Sequence, residues 1–256
     1  MSFNNMNNHI YLKYKDELNK VKKIINDPYI YDMWYHYGFK LNKQFIPLDS
    51  NINVYEALFI SQCLNLYINH IHKINTKINI LEIGLAYGTS SIIMLNQLIH
   101  LKNKIEYTII DPNQTKQWNQ IGLKHIHSYL KLKHKNNNKN IIIDLKEEYS
   151  QNSLPKLRIK YDFIFIDGSH DKKIVLQDLE NSYKLLKLNG LVLLDDVKHI
   201  GVKEAIQLFF KKYNKHFFKI TIKNNEFHKE SVDNFIISNK KNINNPNTMY
   251  CYQKIQ

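Results

Sequence analysis

Carboxylates standing just behind short apolar runs are the first chemistry visible in this chain. The run Ile80 to Ile83 carries Glu82 and is followed by Gly84 and Gly88. Tyr107-Thr108-Ile109-Ile110 delivers Asp111, and the apolar run at 140–145 is followed by Glu147 and Glu148. Tyr161 to Ile166 delivers Asp167, Gly168, Ser169 and His170, and Leu191 to Leu194 delivers Asp195 and Asp196. Carboxylates are rarely buried without a partner, so acids at the end of every such run are not a core-packing pattern. An acid beside a glycine loop suits a cationic ligand, such as an α-amino group or a sulfonium. Asp111, about 27 residues after Gly84, can accept hydrogen bonds from both hydroxyls of a ribose.

The elements that must position these residues follow from the same pattern. Leu81-Glu82-Ile83-Gly84-Leu85-Ala86-Tyr87-Gly88 reads as the end of a buried strand running into a glycine loop. Thr89 or Ser90 can then cap a helix through Ile92, Ile93, Met94, Leu95 and Leu98. Strand, loop and helix N-terminus together admit a ligand that needs close backbone approach. The loop lacks the Gly-Lys-Ser/Thr ending of a phosphate-binding P-loop and the central glycine of G-x-G-x-x-G, and Glu82 would repel a pyrophosphate. Strands are expected at 78–83, 105–110, 140–145, 161–166 and 191–194, and helices at 89–101, 115–132, 172–187 and 201–213. This alternation predicts an α/β fold: a doubly wound, Rossmann-like, seven-stranded sheet. Phe217 to Ile222 and Phe235 to Ser238, with no helix between them, predict a C-terminal antiparallel hairpin.

An N-terminal extension, residues 1–50, precedes a domain over 51–240, and residues 241–256 read as a tail. Residues 1–8 are polar and Asn-rich and are expected to be disordered. Ile10, Tyr14, Leu18, Val21 and Ile25 have helical spacing, ended by Asp27-Pro28. Tyr29, Tyr31, Trp34, Tyr35, Tyr37, Phe39 and Phe45 form an aromatic cluster that can be a cap over the core or a wall of the substrate site. Ser50 or Asn51 opens a helix over 54–71.

Composition bounds the alternatives. The net charge is +13, yet Arg158 is the only arginine. Bidentate phosphate and base contacts use arginine, so the lysine excess reads as coding bias, and a nucleic-acid partner is disfavoured. Two cysteines, Cys63 and Cys251, cannot build a disulfide framework or a cysteine-based zinc site. No apolar run reaches the ~18 residues of a membrane span. A cytoplasmic protein without membrane contact is expected, and a homo-oligomer is compatible with the sequence.

The run Leu81-Glu82-Ile83-Gly84-Leu85-Ala86-Tyr87-Gly88-Thr89-Ser90, taken with Asp167-Gly168-Ser169-His170 and Leu193-Leu194-Asp195-Asp196, resembles the class I S-adenosylmethionine-dependent methyltransferases. The similarity is strongest to the metal-dependent small-molecule O-methyltransferases of the catechol and caffeoyl-CoA type and to the macrolide sugar O-methyltransferases, and it covers roughly residues 54–240. The resemblance implies that Glu82, Gly84 and Gly88 line the methionine half of S-adenosylmethionine (SAM). It implies that Ser90 bonds the cofactor's carboxylate, that Asp111 binds the ribose and that Glu147 or Glu148 approaches the adenine.

The resemblance also places Asp167, Asp195 and Asp196 where metal-dependent members hold a divalent cation. An all-oxygen set favours Mg²⁺ or a similar hard cation over zinc. His170 stands three residues past Asp167, where sugar O-methyltransferases carry their general base; a reference pKa of ~6.5 suits that task at neutral pH. The expected activity is O-methylation of a small-molecule hydroxyl, such as that of a sugar or other vicinal diol, with metal assistance. The competing readings are a nucleic-acid-binding or scaffold protein on a degenerate methyltransferase fold, and an RNA or protein methyltransferase. The Asn/Asp-Pro-Pro-Tyr signatures of amino methylation are absent; Asp195-Asp196-Val197 stands in that place.

Overall fold

A computed structural model describes residues 16, 18–36, 38–47, 52–71, 76–133, 140–223, 226–232 and 249–256. The expectations for residues 1–8 and for a strand at Phe235 to Ser238 lie outside this set. The chain opens with α1 (18–24), α2 (Pro28–Tyr35) and a two-stranded hairpin, β1 (Gly38–Leu41) with β2 (Gln44–Pro47). Then come α3 (Val54–Leu66), which runs into a π-helical turn (Tyr67–Ile71), β3 (Ile78–Ile83), α4 (Thr89–Leu98), β4 (Ile105–Ile110), α5 (Ile121–Lys133) and β5 (Ile141–Lys146). The second half holds α6 (Ser150–Ser153), β6 (Tyr161–Ile166), α7 (Lys172–Leu185), β7 (Leu186–Leu194) and α8 (Ile200–Tyr213), then β8 (Phe217–Lys223), β9 (Glu226–Ser231) and β10 (Tyr250–Lys254).

The central sheet has eight strands in the order β5-β4-β3-β6-β7-β10-β8-β9. The first five are parallel, and β10 lies antiparallel to both β7 and β8. The order reverses beside β3, the first strand, as a doubly wound sheet requires. β8 pairs antiparallel with β9, so the hairpin's second strand uses residues 226–231, between the two hairpin strands expected from sequence. The seven expected strands gain an eighth in β10. Residues 250–254, read as a tail, are an interior strand.

Strand alternation divides the core between the two faces. Ile80 faces α3 and α4, while Leu81 and Ile83 face α7 and α8. Trp34, Phe39, Met33 and Ile30 are buried in the first of these clusters, so the aromatic segment after α1 is a cap over the core. Helix α3 starts at Val54 as read, but its cap is Asn53: Asn53 accepts from Tyr55 N and Glu56 N, and Glu56 accepts from Asn53 N at 2.6 Å, a reciprocal capping box.

Candidate active site

The ladders of the parallel strands each run one residue past the strand, and this lines up the candidate residues. Gly84 N donates to Ile110 O, Asp111 N to Lys146 O, Asp167 N to Ile83 O and Asp195 N to Ile166 O. Asp111, Gly84, Asp167 and Asp195 thus form a row along the carboxyl edge of the sheet, where open α/β sheets bind ligands.

Glu82 lies on the α4 face of β3, fully buried, and accepts from Ser90 Oγ, Ser91 Oγ and Tyr107 OH. Burial raises its pKa to about 7 against those three donors. Ser90, expected to meet a cofactor carboxylate, gives its hydroxyl to Glu82 here. The helix starts differently from either expected cap. Gly88, with φ +77°, occupies the N-cap position of α4, and no side chain among the described residues caps the helix. Only glycine adopts this backbone freely.

The loop between Gly84 and Gly88 is held from outside. Asp111, 4% exposed, accepts from Leu85 N and Ala86 N at 3.0 Å each, from Gln114 Nε2 at 3.0 Å and from Asn113 N at 2.8 Å. In this structure its carboxylate is committed to shaping the loop. The space a Cβ would fill at Gly84 is taken by Asp167 O, 1.9 Å away, and at Gly88 by Gly122 O, 2.8 Å away. Gly84 lets the loops after β3 and β6 close on one another, and Gly88 lets the first turn of α5 approach α4. Glu147 accepts from the backbone and hydroxyl of Thr115 in the β4 loop, whereas Glu148 turns to Ser153 at 3.1 Å and Lys156 at 2.8 Å. Of the two acids, Glu147 is the one tied to the neighbouring strand's loop.

Asp167, Gly168, Ser169, His170, Asp195 and Asp196 line one cleft, floored by Ile166 and Leu194. The Asp167 carboxyl is pushed well above the ordinary carboxylate range, first by desolvation and then by Asp195, Asp196, Glu82 and Glu56. The twin acids separate in role. Asp195 Oδ1 accepts from Asp196 N at 2.6 Å, and Asp196, at φ +51°, directs Oδ2 to His170 Nε2 at 2.7 Å. His199, not singled out from sequence, brings its ring to 4.7 Å from that of His170. Gly201 lets α8 close on this pair, since a Cβ there would meet His170 O at 2.2 Å. The signal was present in His199-Ile200-Gly201, but only the packing of α8 gives it meaning. Asp171 caps α7, accepting from Lys173 N at 2.9 Å and Ile174 N at 3.1 Å.

The site suits SAM in its donor set: an α4 N-terminus without a side-chain cap for an anion, and a row of carboxylates for a cationic centre. The metal fits less well. Among the described residues no group of three or more acidic, histidine or cysteine side chains is arranged to hold a cation. Asp196 is turned away to His170. No helix among the described residues is long and apolar enough to cross a membrane.

A family model described as a methyltransferase domain matches residues 81–197. The O-methyltransferase NovP has a TM-score of 0.56 at 13% identity, covering 80% of this chain and 81% of its own. The O-methyltransferase TomG from Streptomyces achromogenes, solved with SAM, scores 0.51 at 13% identity over 82% of this chain and 84% of its own. An O-methyltransferase from Bacillus cereus, solved with S-adenosylhomocysteine (SAH), scores 0.50 at 15% identity over 94% and 91%. None of the curated proteins matches. At such identities the structural likeness speaks for the fold, while the family match runs from the glycine loop to the Asp195-Asp196 pair. Residues 81–197 match a methyltransferase domain, and the chain has the fold of these SAM- and SAH-binding O-methyltransferases.

Proposed function

We propose that the protein methylates a hydroxyl of a small molecule, a sugar or another vicinal diol, bound in the cleft between the ends of β6 and β7. The observation that carries this reading is the 2.7 Å contact of His170 Nε2 with Asp196 Oδ2 at that cleft. When bound, SAM supplies a methyl group on a positively charged sulfur. Its holders would be the Gly84–Gly88 loop and the first turn of α4, with Asp111 the candidate for the ribose and Glu147 or Glu148 for the adenine edge. The chain's task is then to orient the acceptor hydroxyl and take its proton. Nε2–H donated to Asp196 leaves Nδ1 as the basic nitrogen of His170, and the carboxylate stabilises the imidazolium that forms. Lost proton and gained methyl balance on the acceptor oxygen, and the cofactor leaves as a neutral thioether.

Asp167, Asp195 and Asp196 are the oxygen donors that a divalent cation would use. The deciding experiment is a methyl-transfer assay on a panel of sugars, nucleotide sugars and catechols, with Mg²⁺ and with EDTA. Transfer to a hydroxyl supports the proposal, and loss of that transfer in EDTA adds the metal. Binding of SAH with transfer only to RNA or protein would overturn it.

A further inference from the structure

His125 sits on α5, outside the catalytic cleft, yet it is bonded to the glycine loop. It is fully buried. Its Nδ1 lies 2.9 Å from Tyr87 O, and its Nε2 lies 2.8 Å from Tyr29 OH. A carbonyl only accepts, so Nδ1 carries the proton, Nε2 accepts, and Tyr29 donates. Burial lowers the pKa of His125 to about 4, which keeps the ring neutral and holds this tautomer near neutral pH. Phe39 stacks on the ring at 3.6 Å and 8°. Tyr29 is on α2 and Phe39 on β1, so two elements of the N-terminal segment fix one side chain.

The backbone of the loop shows why that side chain matters. Leu85 N and Ala86 N are held by Asp111. Leu85 O accepts from Gly88 N at 2.7 Å, and Ala86 O accepts from Gln114 Nε2 at 2.9 Å. Tyr87 O accepts from His125. Ala86, a non-glycine residue at φ +44°, needs such restraint to keep its turn. Four of these bonds stay within the methyltransferase domain. The fifth, through His125, reaches the N-terminal segment.

We propose that His125 is a positioning residue for the methyl-donor site, through which docking of the N-terminal segment sets the shape of the Gly84–Gly88 loop. The proposal rests on the reading of that loop as the SAM site. It gives the segment before residue 48 a task beyond covering the core.

Calorimetric titration of SAH tests it on the full chain and on Tyr29→Phe, His125→Phe and His125→Asn. Asparagine keeps a donor near the Nδ1 position, and phenylalanine keeps only the stacked ring. SAH should bind about tenfold more weakly to His125→Phe, the effect of one lost buried hydrogen bond. The loss should be smaller for Tyr29→Phe, and His125→Asn should be restored to near the wild-type value. In the ligand-free protein, the Gly88 amide should lose hydrogen-exchange protection in His125→Phe and keep it in His125→Asn. Wild-type affinity in both Tyr29→Phe and His125→Phe would overturn the proposal. Equal weakening in His125→Asn and His125→Phe would also do so, because it assigns the residue to packing. Should His125→Phe not fold, unchanged affinity in Tyr29→Phe overturns it and weakened affinity with rescue in His125→Asn sustains it. A wild-type chain that binds no SAH, while its loop protection still follows the Phe/Asn pattern, sinks the donor-site reading and not the His125 link.

Discussion

A histidine whose Nε2 faces a carboxylate can serve as a base only through its other ring nitrogen. His170 meets that condition, with Asp196 Oδ2 at 2.7 Å and both side chains partly open to the cleft. Replacing His170 by alanine should leave SAH affinity within about twofold and reduce turnover by roughly 10²- to 10⁴-fold, the usual worth of a positioned base. An alanine variant with full turnover would refute the assignment. Asp196→Asn is the finer probe. Asparagine tolerates the left-handed backbone found at φ +51° and can still accept from Nε2–H, but it cannot stabilise the imidazolium charge. Turnover should fall between the wild type and His170→Ala. At this scale the sequence was informative about type and spacing: Asp167-Gly168-Ser169-His170 and Asp195-Asp196 do line one cleft. It could not separate the two adjacent aspartates, because their roles depend on one φ angle. It also could not see that Asp111 and Ser90 would be engaged by the protein itself.

The pairing of α6 with α7 buries an acid that no function claims. Asp178 on α7 is 1% exposed and is bonded by Ser150 of α6; its Oδ1, like Ser182 Oγ close by in sequence, has no partner among the described residues. Desolvation raises its pKa from 3.8 to about 6. The folded chain therefore binds this proton more tightly than the unfolded one. Its stabilising share is complete below pH ~4 and is lost as pH rises through ~6. Asp178→Asn should then stabilise the protein at pH 7.5 by about 2 kcal/mol, a rise in melting temperature of roughly 4–8 °C for a chain of this size, and give no gain at pH 4. Melting curves at the two pH values decide it, and equal destabilisation at both would contradict the account. Elements of this interior kind were the legible ones. Strands 78–83, 105–110 and 161–166 appear as read, since parallel strands buried on both faces are continuous apolar runs between turn residues. Helix α5 begins at Ile121 rather than 115, after turns in which Asn119 and Gln120 have positive φ. The hairpin β1–β2 and the strand β9 were missed. The first turns on Asn42-Lys43, without the glycine that marks such turns, and the second is a polar edge strand with no apolar alternation.

Over the whole molecule the least legible feature is where the chain finishes. Tyr250-Cys251-Tyr252-Gln253-Lys254 is short and carries no pattern that separates it from a tail. Yet β10 lies between β7 and β8, with Cys251 paired to both Leu193 and Ile220. Cys251 and Tyr252 are fully buried, one on each face of the sheet. β10 joins the carboxyl edge of β7 to the β8–β9 hairpin, because Tyr250 pairs with Leu194, one residue before Asp195. Removing residues 249–256 would expose the hydrogen-bonding edges of two strands at once, and strip Met249 and Cys251 from one core and Tyr252 from the other. A typical domain is held folded by only about 5–15 kcal/mol, so losing both ladders of β10 and its buried side chains removes a large share of the stability. A chain stopped after residue 248 should therefore lose cooperative melting, or melt at least 15 °C below the full chain, and should lose SAH binding with it. Truncation that left the melting temperature within about 5 °C would mean that β7 and β8 hold the sheet without the strand between them. The fold would then be complete before its last strand is added.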